Sequence, residues 1–264
     1  MTTQTAAAAI SIANVSKVFE TPDGHVEALS NVSIEVRPGE LVCLVGPSGC
    51  GKSTLLRILA GLTEPTAGTV EFGPSGESEV RKTMVFQDHG LFPWMSLLDN
   101  VAFALEAEGV GKTERRRRAA ELLEQLGLGA FGGRYPDEIS GGMRQRAAIA
   151  RALLTEPQVL LMDEPFNALD AQSKLVLQEE LMRLWEAKGQ TVIYVTHDIR
   201  EAVVLGDRVL VMSGRPGTIQ LELDVDLPRP RDVFDRDHRE VKAKAWTIWN
   251  AIEGQVRRNL HIPS

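Results

Sequence analysis

Several things are scarce in this 264-residue chain, and each scarcity removes a class of protein. Cysteine occurs twice, at Cys43 and Cys50. One lies in an apolar run and the other in a glycine-rich turn, so neither reads as half of a disulfide framework. No stretch approaches the roughly 20 apolar residues of a membrane helix. Basic residues are outnumbered, 29 Lys and Arg against 36 Asp and Glu, and the net charge of −7 gives no support for a general nucleic-acid binder. Aromatics are sparse too. None interleaves with the basic run Arg115, Arg116, Arg117, Arg118, which therefore reads as a solvated helix face rather than a nucleic-acid site. Residues 1–9 lack both a basic region and a long apolar segment, so they read as a loose tail and not a secretory leader. Internal repeats are absent. At 43% hydrophobic residues the chain can bury a substantial core in one or two domains, and a cytoplasmic protein is the simplest expectation.

What is present centres on Gly46-Pro47-Ser48-Gly49-Cys50-Gly51-Lys52-Ser53-Thr54. An apolar run, residues 41–45, precedes it, and a helical pattern, residues 55–60, comes after it. Strand, glycine loop and helix is the context that a G-x-x-x-x-G-K-[ST] phosphate loop requires. Glycines let the backbone curl so that N–H groups point at phosphate oxygens, and the helix N-terminus adds partial positive charge. Lys52 can reach the β- and γ-phosphates, and the Ser53 hydroxyl can ligate Mg²⁺.

Ahead of this loop, residues 10–19 and 26–36 read as strands of a small antiparallel sheet, with Ala28, Leu29, Val32, Ile34 and Val36 available for a core. Residues 69–72 and 82–86 continue as strands, the second ending at Gln87, with a polar loop at 73–79 between them. From Leu97 to Leu154 the pattern is mainly helical. Thr113 is expected to cap a helix carrying Ala119, Leu122, Leu123 and Leu126, and a second helix is expected just after Ser140. Residues 88–155 therefore read as a helical insertion. Buried strands are expected at 159–162 and 191–195, the first leading into Asp163-Glu164-Pro165 and the second into Thr196-His197-Asp198. A helix from Ala171 to Lys188, a short one from Ile199, strands at 209–212 and 218–225, and a C-terminal helix with Trp246, Ile248, Trp249 and Ile252 complete the chain.

Asp163 ends a buried strand, where its carboxylate can face Mg²⁺ held by Ser53 and phosphates. Glu164, one residue on, is placed to polarise a water for attack on the γ-phosphate. His197, at a third strand end, is a candidate contact to the same phosphate and water, since ligands of such sheets sit at the carboxyl ends of strands. Ser140-Gly141-Gly142 at a helix start is a weaker anion-site signal, because Ser-Gly is also an ordinary cap.

Gly46 to Thr54, Gln87, Ile139-Ser-Gly-Gly-Met-Arg-Gln-Arg146, residues 159–165, Ala168-Leu-Asp170 and His197 occur in the order of an ABC-transporter ATPase subunit, which residues 10–220 resemble. The resemblance implies an α/β fold: a RecA-like P-loop core with a small antiparallel β subdomain and a helical insertion, then a C-terminal strand and helical extension at 221–264. It implies ATP and Mg²⁺ as cofactors, with Lys52, Glu164 and His197 catalytic and Ser53, Gln87 and Asp163 at the metal. Phe19, the phosphate loop, Gln87 and the signature-like Ser140, Gly141 and Gly142 would bind nucleotide. Phe19 would stack on adenine; a core strand residue is the other reading. Ile139 stands where leucine is more usual, and Asn167 where the D-loop more often has serine or glycine. Partners implied are a second copy, transmembrane permease subunits and an external substrate-binding protein, at the cytoplasmic face of the cell membrane. Finer stretches, residues 86–94, 98–101, 196–202, 212–217 and 226–231, resemble the nitrate/sulfonate/taurine importer ATPases. The chain stops about 45 residues past the core, too short for the regulatory domain of the sugar-importer relatives. Two other classes remain at this point: a soluble ABC ATPase acting on nucleic acid or ribosomes, and a P-loop kinase or switch. Phe92, Trp94 and Leu97 read either as packing inside the insertion or as a groove for a permease helix.

Overall fold

The structure, a computed structural model, describes residues 7–22, 24–73, 80–167, 169–234 and 238–259. Residues 1–6 of the expected tail, 74–79 of the polar loop and Ala168 of the D-loop stretch lie outside the described residues.

Two sheets are built from the strand patterns. β1 (Ile10–Thr21), β2 (Gly24–Val36) and β4 (Ala67–Phe72) form an antiparallel sheet in the order β2-β1-β4. In β2 the period of two is plain: Val32, Ile34 and Val36 are buried while Ser33 and Glu35 face out. The second sheet holds β3 (Leu41–Val45), β5 (Lys82–Val85), β6 (Val159–Asp163), β7 (Thr191–Val195), β8 (Arg208–Met212) and β9 (Ile219–Asp224). Its order is β5-β6-β7-β3-β8-β9, parallel throughout except for the β8–β9 hairpin. β3, β6 and β7 are buried along their whole length, as strands covered on both faces must be. The two faces of β3 divide accordingly. Val42 and Leu44 join the core beneath α1 (Lys52–Leu59), with Leu55, Leu56 and Leu59. Leu41, Cys43 and Val45 join the core that includes residues of α5 (Ala171–Lys188) and α6 (Ile199–Leu205). Both cysteines are free and buried.

Between β5 and β6 the chain makes α2 (Leu97–Ala102), α3 (Lys112–Gln125) and α4 (Gly141–Leu154). Two expectations change here. The N-cap of α3 is Gly111, not Thr113, which lies within the helix; Gly111 caps with backbone alone, its carbonyl accepting from Arg115 N–H at 3.0 Å. Leu97 is fully buried, since it opens α2 facing the core, so it lines no surface. Each arginine of the basic run has an acidic partner: Arg115 pairs with Glu106, Arg116 with Asp99, Arg117 with Glu114 and Glu121, Arg118 with Glu114. Hydrogen bonds from Arg117 and Arg118 hold the exposed Glu114 carboxyl down to about 2. The run is a charge-balanced helix face.

At the C-terminal end the boundary drawn at 220/221 falls within β9, which pairs with β8. α7 (Arg239–Asn259) buries Val241, Ile248 and Ile252 in the same core as β8, and leaves Trp246 exposed. Among the described residues no helix is long and apolar enough to cross a membrane.

Candidate nucleotide site

Three neighbouring parallel strands, β6, β7 and β3, end on one edge of the sheet, and the segments they lead into meet in a single cleft. β3 runs into the glycine loop and α1. Gly51, the N-cap of α1, sits at φ 102°, in the left-handed region that favours glycine. A Cβ there would lie 2.7 Å from both the Ala28 carbonyl oxygen and Leu29 Cδ2, so the loop is pressed against β2. No side chain caps α1 and no acid occupies its first turn, which leaves its N–H donors and helix dipole for an anion.

Lys52 is buried, and Nζ donates to the Gly46 carbonyl at 2.9 Å and the Pro47 carbonyl at 3.1 Å, with Cys50 Sγ at 3.7 Å. Its acceptors are neutral, so the ammonium charge meets no carboxylate in direct contact among the described residues. Opposite, Ser53 Oγ donates to Asp163 Oδ1 at 3.0 Å. Burial pushes the Asp163 carboxyl above its usual range, against the Ser53 hydrogen bond, and the Glu164 charge adds to the rise. A half-buried hydroxyl–carboxylate pair of this kind fits Mg²⁺, which needs only one or two protein oxygens when phosphates and waters complete its shell. Among the described residues no cluster of three or more His, Cys, Asp or Glu forms a self-sufficient metal cage.

The strand ends are stitched to one another. Asp163 stands opposite Val195 in the β6–β7 register; Glu164 N–H donates to the Val195 carbonyl at 3.1 Å, and Thr196 N–H to the Leu44 carbonyl at 3.2 Å. Glu164 has φ 45°, uncommon for a residue with a Cβ and worth roughly 1–3 kcal/mol of strain. That turn brings its Oε2 within 3.2 Å of His197 Nδ1. The imidazole is more than half exposed and the carboxylate is 20% exposed, so the pair looks out into the cleft. Oε1 of Glu164 has no protein partner among the described residues.

His197 is held from behind. The carboxylate of Glu201, 1% exposed, accepts from Tyr194 Oη at 2.5 Å, Gln178 Nε2 at 2.5 Å and Thr196 Oγ1 at 2.6 Å, and pairs with Lys174 at 2.8 Å. Burial, with the Glu201 charge, pushes the Tyr194 hydroxyl well above its ordinary range, so it stays a donor. This buried knot ties α5, the end of β7 and α6 together one residue from His197. Glu201→Ala would take the buried carboxylate from Tyr194 and Thr196 and leave Lys174 with Asp198 at 3.6 Å as its remaining acidic neighbour; it should cost about 3–5 kcal/mol, read as a lowered midpoint in urea unfolding.

The cleft has a volume of about 620 Å³ and takes Phe19, Lys52, Gln87, Glu164 and His197 into its lining, with Ser48, Gly49, Gly51, Ser53 and Thr54 from the loop. Phe19 is exposed on β1 beside Val26 and Ala28 of β2, which removes the core reading of that side chain. Gln87 is exposed just past β5. Gly46, Pro47 and Cys50 form the base of the loop, and Asp163 lies behind Ser53. Ser140, Gly141 and Gly142 stand outside this cleft. There Ser140 caps α4, its Oγ accepting from Met143 N–H at 3.3 Å.

Four lining residues were not among the expected site residues: Val26 and Ala28 beside Phe19, Asn167, and Arg215. Arg215 is in the turn joining β8 to β9, far from the phosphate loop in sequence. The turn is fastened to both sides of the site: Gly217 N–H donates to the Ala28 carbonyl and Ser30 N–H to the Gly217 carbonyl, each at 3.0 Å. A Cβ on Gly217 would lie 2.0 Å from the Cys50 carbonyl oxygen. Of the two glycines in residues 212–217, Gly217 marks that close approach.

A sheet of this order, with an uncapped helix behind a glycine loop and a hydroxyl–carboxylate pair beside it, defines a P-loop nucleotide hydrolase. The chain belongs to the ABC transporter family, whose model matches residues 29–167, and it is an ATP-hydrolysing ATP-binding cassette of that family. It is 47% identical to the nitrate import ATP-binding protein NrtD of Synechocystis over 83% of each chain. It is 44% identical to the taurine import ATP-binding protein TauB of Roseobacter denitrificans, over 88% of this chain and 87% of the relative. Among solved structures, an ATP-binding cassette in a dimeric post-hydrolysis state bound to ADP and Pi superposes with a TM-score of 0.73 at 33% identity, covering 83% of this chain and all of that one.

Proposed function

We propose that this chain is the ATP-hydrolysing subunit of an importer for a small oxyanion of the nitrate or sulfonate kind, working as a pair of copies beneath transmembrane permease subunits. The observation that carries the enzymatic half is the convergence of Lys52, the Ser53–Asp163 pair and the Glu164–His197 pair on one cleft at the ends of β3, β6 and β7. Import and the oxyanion class rest on the named relatives, taurine being itself a sulfonate.

In this reading Phe19 stacks on adenine, and the loop N–H groups with Lys52 hold the phosphates. Ser53 and Asp163 would hold Mg²⁺, with Gln87 as a further ligand. When bound, Mg²⁺ would offset the negative charge that develops during phosphate transfer. Glu164 accepts the proton of the attacking water through its free Oε1, and His197 orients Glu164 through Nδ1 while facing the γ-phosphate. Ser140, Gly141 and Gly142, outside their own chain's cleft, close the site of a second copy placed head to tail. An external binding protein delivers the anion to the permease, and the ATPase pair sits at the cytoplasmic face of the membrane. The direct test is co-expression with the permease that co-purifies with it: reconstituted vesicles should couple phosphate release to uptake of the anion. Phosphate transferred to an acceptor other than water would favour a kinase, and capture only with ribosomes or nucleic acid would favour the soluble ABC class.

The permease contact is assigned to the turn before α2. Asn100, fully buried, places Nδ2 within 3.0–3.1 Å of the Phe92, Met95 and Ser96 carbonyls, and its Oδ1 accepts from Phe92 N–H at 2.7 Å. This holds Trp94 out at 70% exposure, its ring centroid 5.4 Å from that of Phe92. A groove of about 310 Å³ lies beside it, lined by Phe92, Phe103, Ala148 and Arg151 among others. Trp94→Ala should weaken permease association by about 2 kcal/mol, on the order of 30-fold, with ATP binding by the isolated subunit unchanged. Undiminished co-purification would reject the anchor.

A further inference from the structure

We propose that Arg215 is a nucleotide-binding residue, reaching from the β8–β9 turn to the phosphate chain of the bound nucleotide. The inference rests on the ATP-site reading above. Three observations carry it. First, Arg215 lines the same cleft as Lys52 and Phe19. Second, its guanidinium is uncommitted: among the described residues it makes no hydrogen bond or ion pair, although it is exposed at the edge of a loop that is otherwise densely bonded. Third, it comes close to the phosphate loop. Arg215 Nη2 lies 3.7 Å from the position a Cβ would take on Gly49, the glycine midway between Gly46 and Lys52.

The backbone that carries Arg215 is fixed, so the cation is delivered to one place. Ser213 Oγ lies 2.9 Å from Thr218 Oγ1, accepts from Thr218 N–H at 2.9 Å and donates to the Gly214 and Pro216 carbonyls at 3.0 and 3.1 Å. Gly217 fills the gap between the Cys50 carbonyl and β2. A long guanidinium on such a mount, unpaired and at the lip of an anion cleft, adds directed donors for phosphate oxygens that the loop N–H groups do not cover. Lys52 serves from the floor of the cleft and Arg215 from its rim.

The test is nucleotide affinity of the full chain, measured by displacement of a fluorescent ATP analogue, for wild type, Arg215→Lys, Arg215→Gln and Arg215→Ala. An exposed charge-assisted contact predicts that Arg215→Ala and Arg215→Gln bind MgATP about 3- to 10-fold more weakly. The loss should be smaller for AMP, near zero for adenosine, and reduced at high salt; Arg215→Lys should recover part of it. Unfolding midpoints of the four proteins should agree. Equal affinity in Arg215→Ala and wild type would overturn the assignment. So would an equal loss for adenosine and ATP, which would place the guanidinium on the base, or intact binding with impaired ATP-driven pairing, which would place it against the second copy. Failure of wild type itself to bind MgATP would instead overturn the site reading on which this one depends.

Discussion

Glu164→Gln is expected to bind MgATP at near wild-type affinity and to hydrolyse it about 10²–10⁴-fold more slowly, the usual span for loss of a general base. The amide keeps the shape of the side chain and the hydrogen-bonding reach toward His197, 3.2 Å away, and leaves the Ser53–Asp163 pair intact. What it loses is the basic oxygen. Because the turn at Glu164 is set by backbone contacts to Val195 and Asn167, the variant should unfold at the wild-type midpoint. ATP should accumulate in a paired species, read by light scattering with and without nucleotide. A variant that turns over normally and stays single would move the base to another residue.

Lys52→Ala should lower hydrolysis at saturating MgATP by about 10²–10³-fold, the scale for removing one preorganised donor to transition-state charge. Its sharper use is in mixtures. The signature helix start stands outside its own chain's cleft, so Lys52→Ala breaks one half-site and Gly141→Asp breaks the complementary half. Gly141 has room for the change, since a Cβ there meets nothing closer than Arg144 at 3.8 Å. The introduced carboxylate would therefore act on phosphate and not on folding. If sites are shared between copies, every mixed pair holds one intact site and one doubly broken site. With Glu164→Gln added to both chains to suppress turnover, mixed pairs should retain about one ATP each, and either variant alone almost none. No retention in verified mixed pairs would end the shared-site account.

Much of this was legible in the sequence because local signals and burial agree. Residues 41–45, 159–162 and 192–195 are apolar runs in strands that the sheet buries on both faces, and the segments following them are the ones that meet in the cleft. The exceptions have physical causes. Leu97 looks like part of an apolar surface beside Trp94, but the first turn of α2 rotates it inward; a one-dimensional pattern does not give the direction in which a six-residue helix faces. Thr113 is a good capping residue, yet the helix is already under way there, its cap lying two positions earlier at Gly111. Arg215 belongs to the cleft only because β8 lies next to β3 and β9 folds back on β8. That adjacency is long-range, and residue spacing carries no trace of it.

The wedge at Gly217 has a mechanical consequence. It joins the sheet bearing Phe19 to the loop bearing Lys52 by two backbone hydrogen bonds and a contact too close for any side chain. Phe19 and the phosphate loop therefore stand like the jaws of a caliper locked at one span. With Phe19 stacked on adenine as proposed, ATP and ADP would seat their base and first two phosphates alike, and the difference between them would fall beyond the far jaw, toward Glu164 and His197. In that arrangement the fixed span would not tell the two nucleotides apart, and the distinction between them would rest on the third phosphate alone.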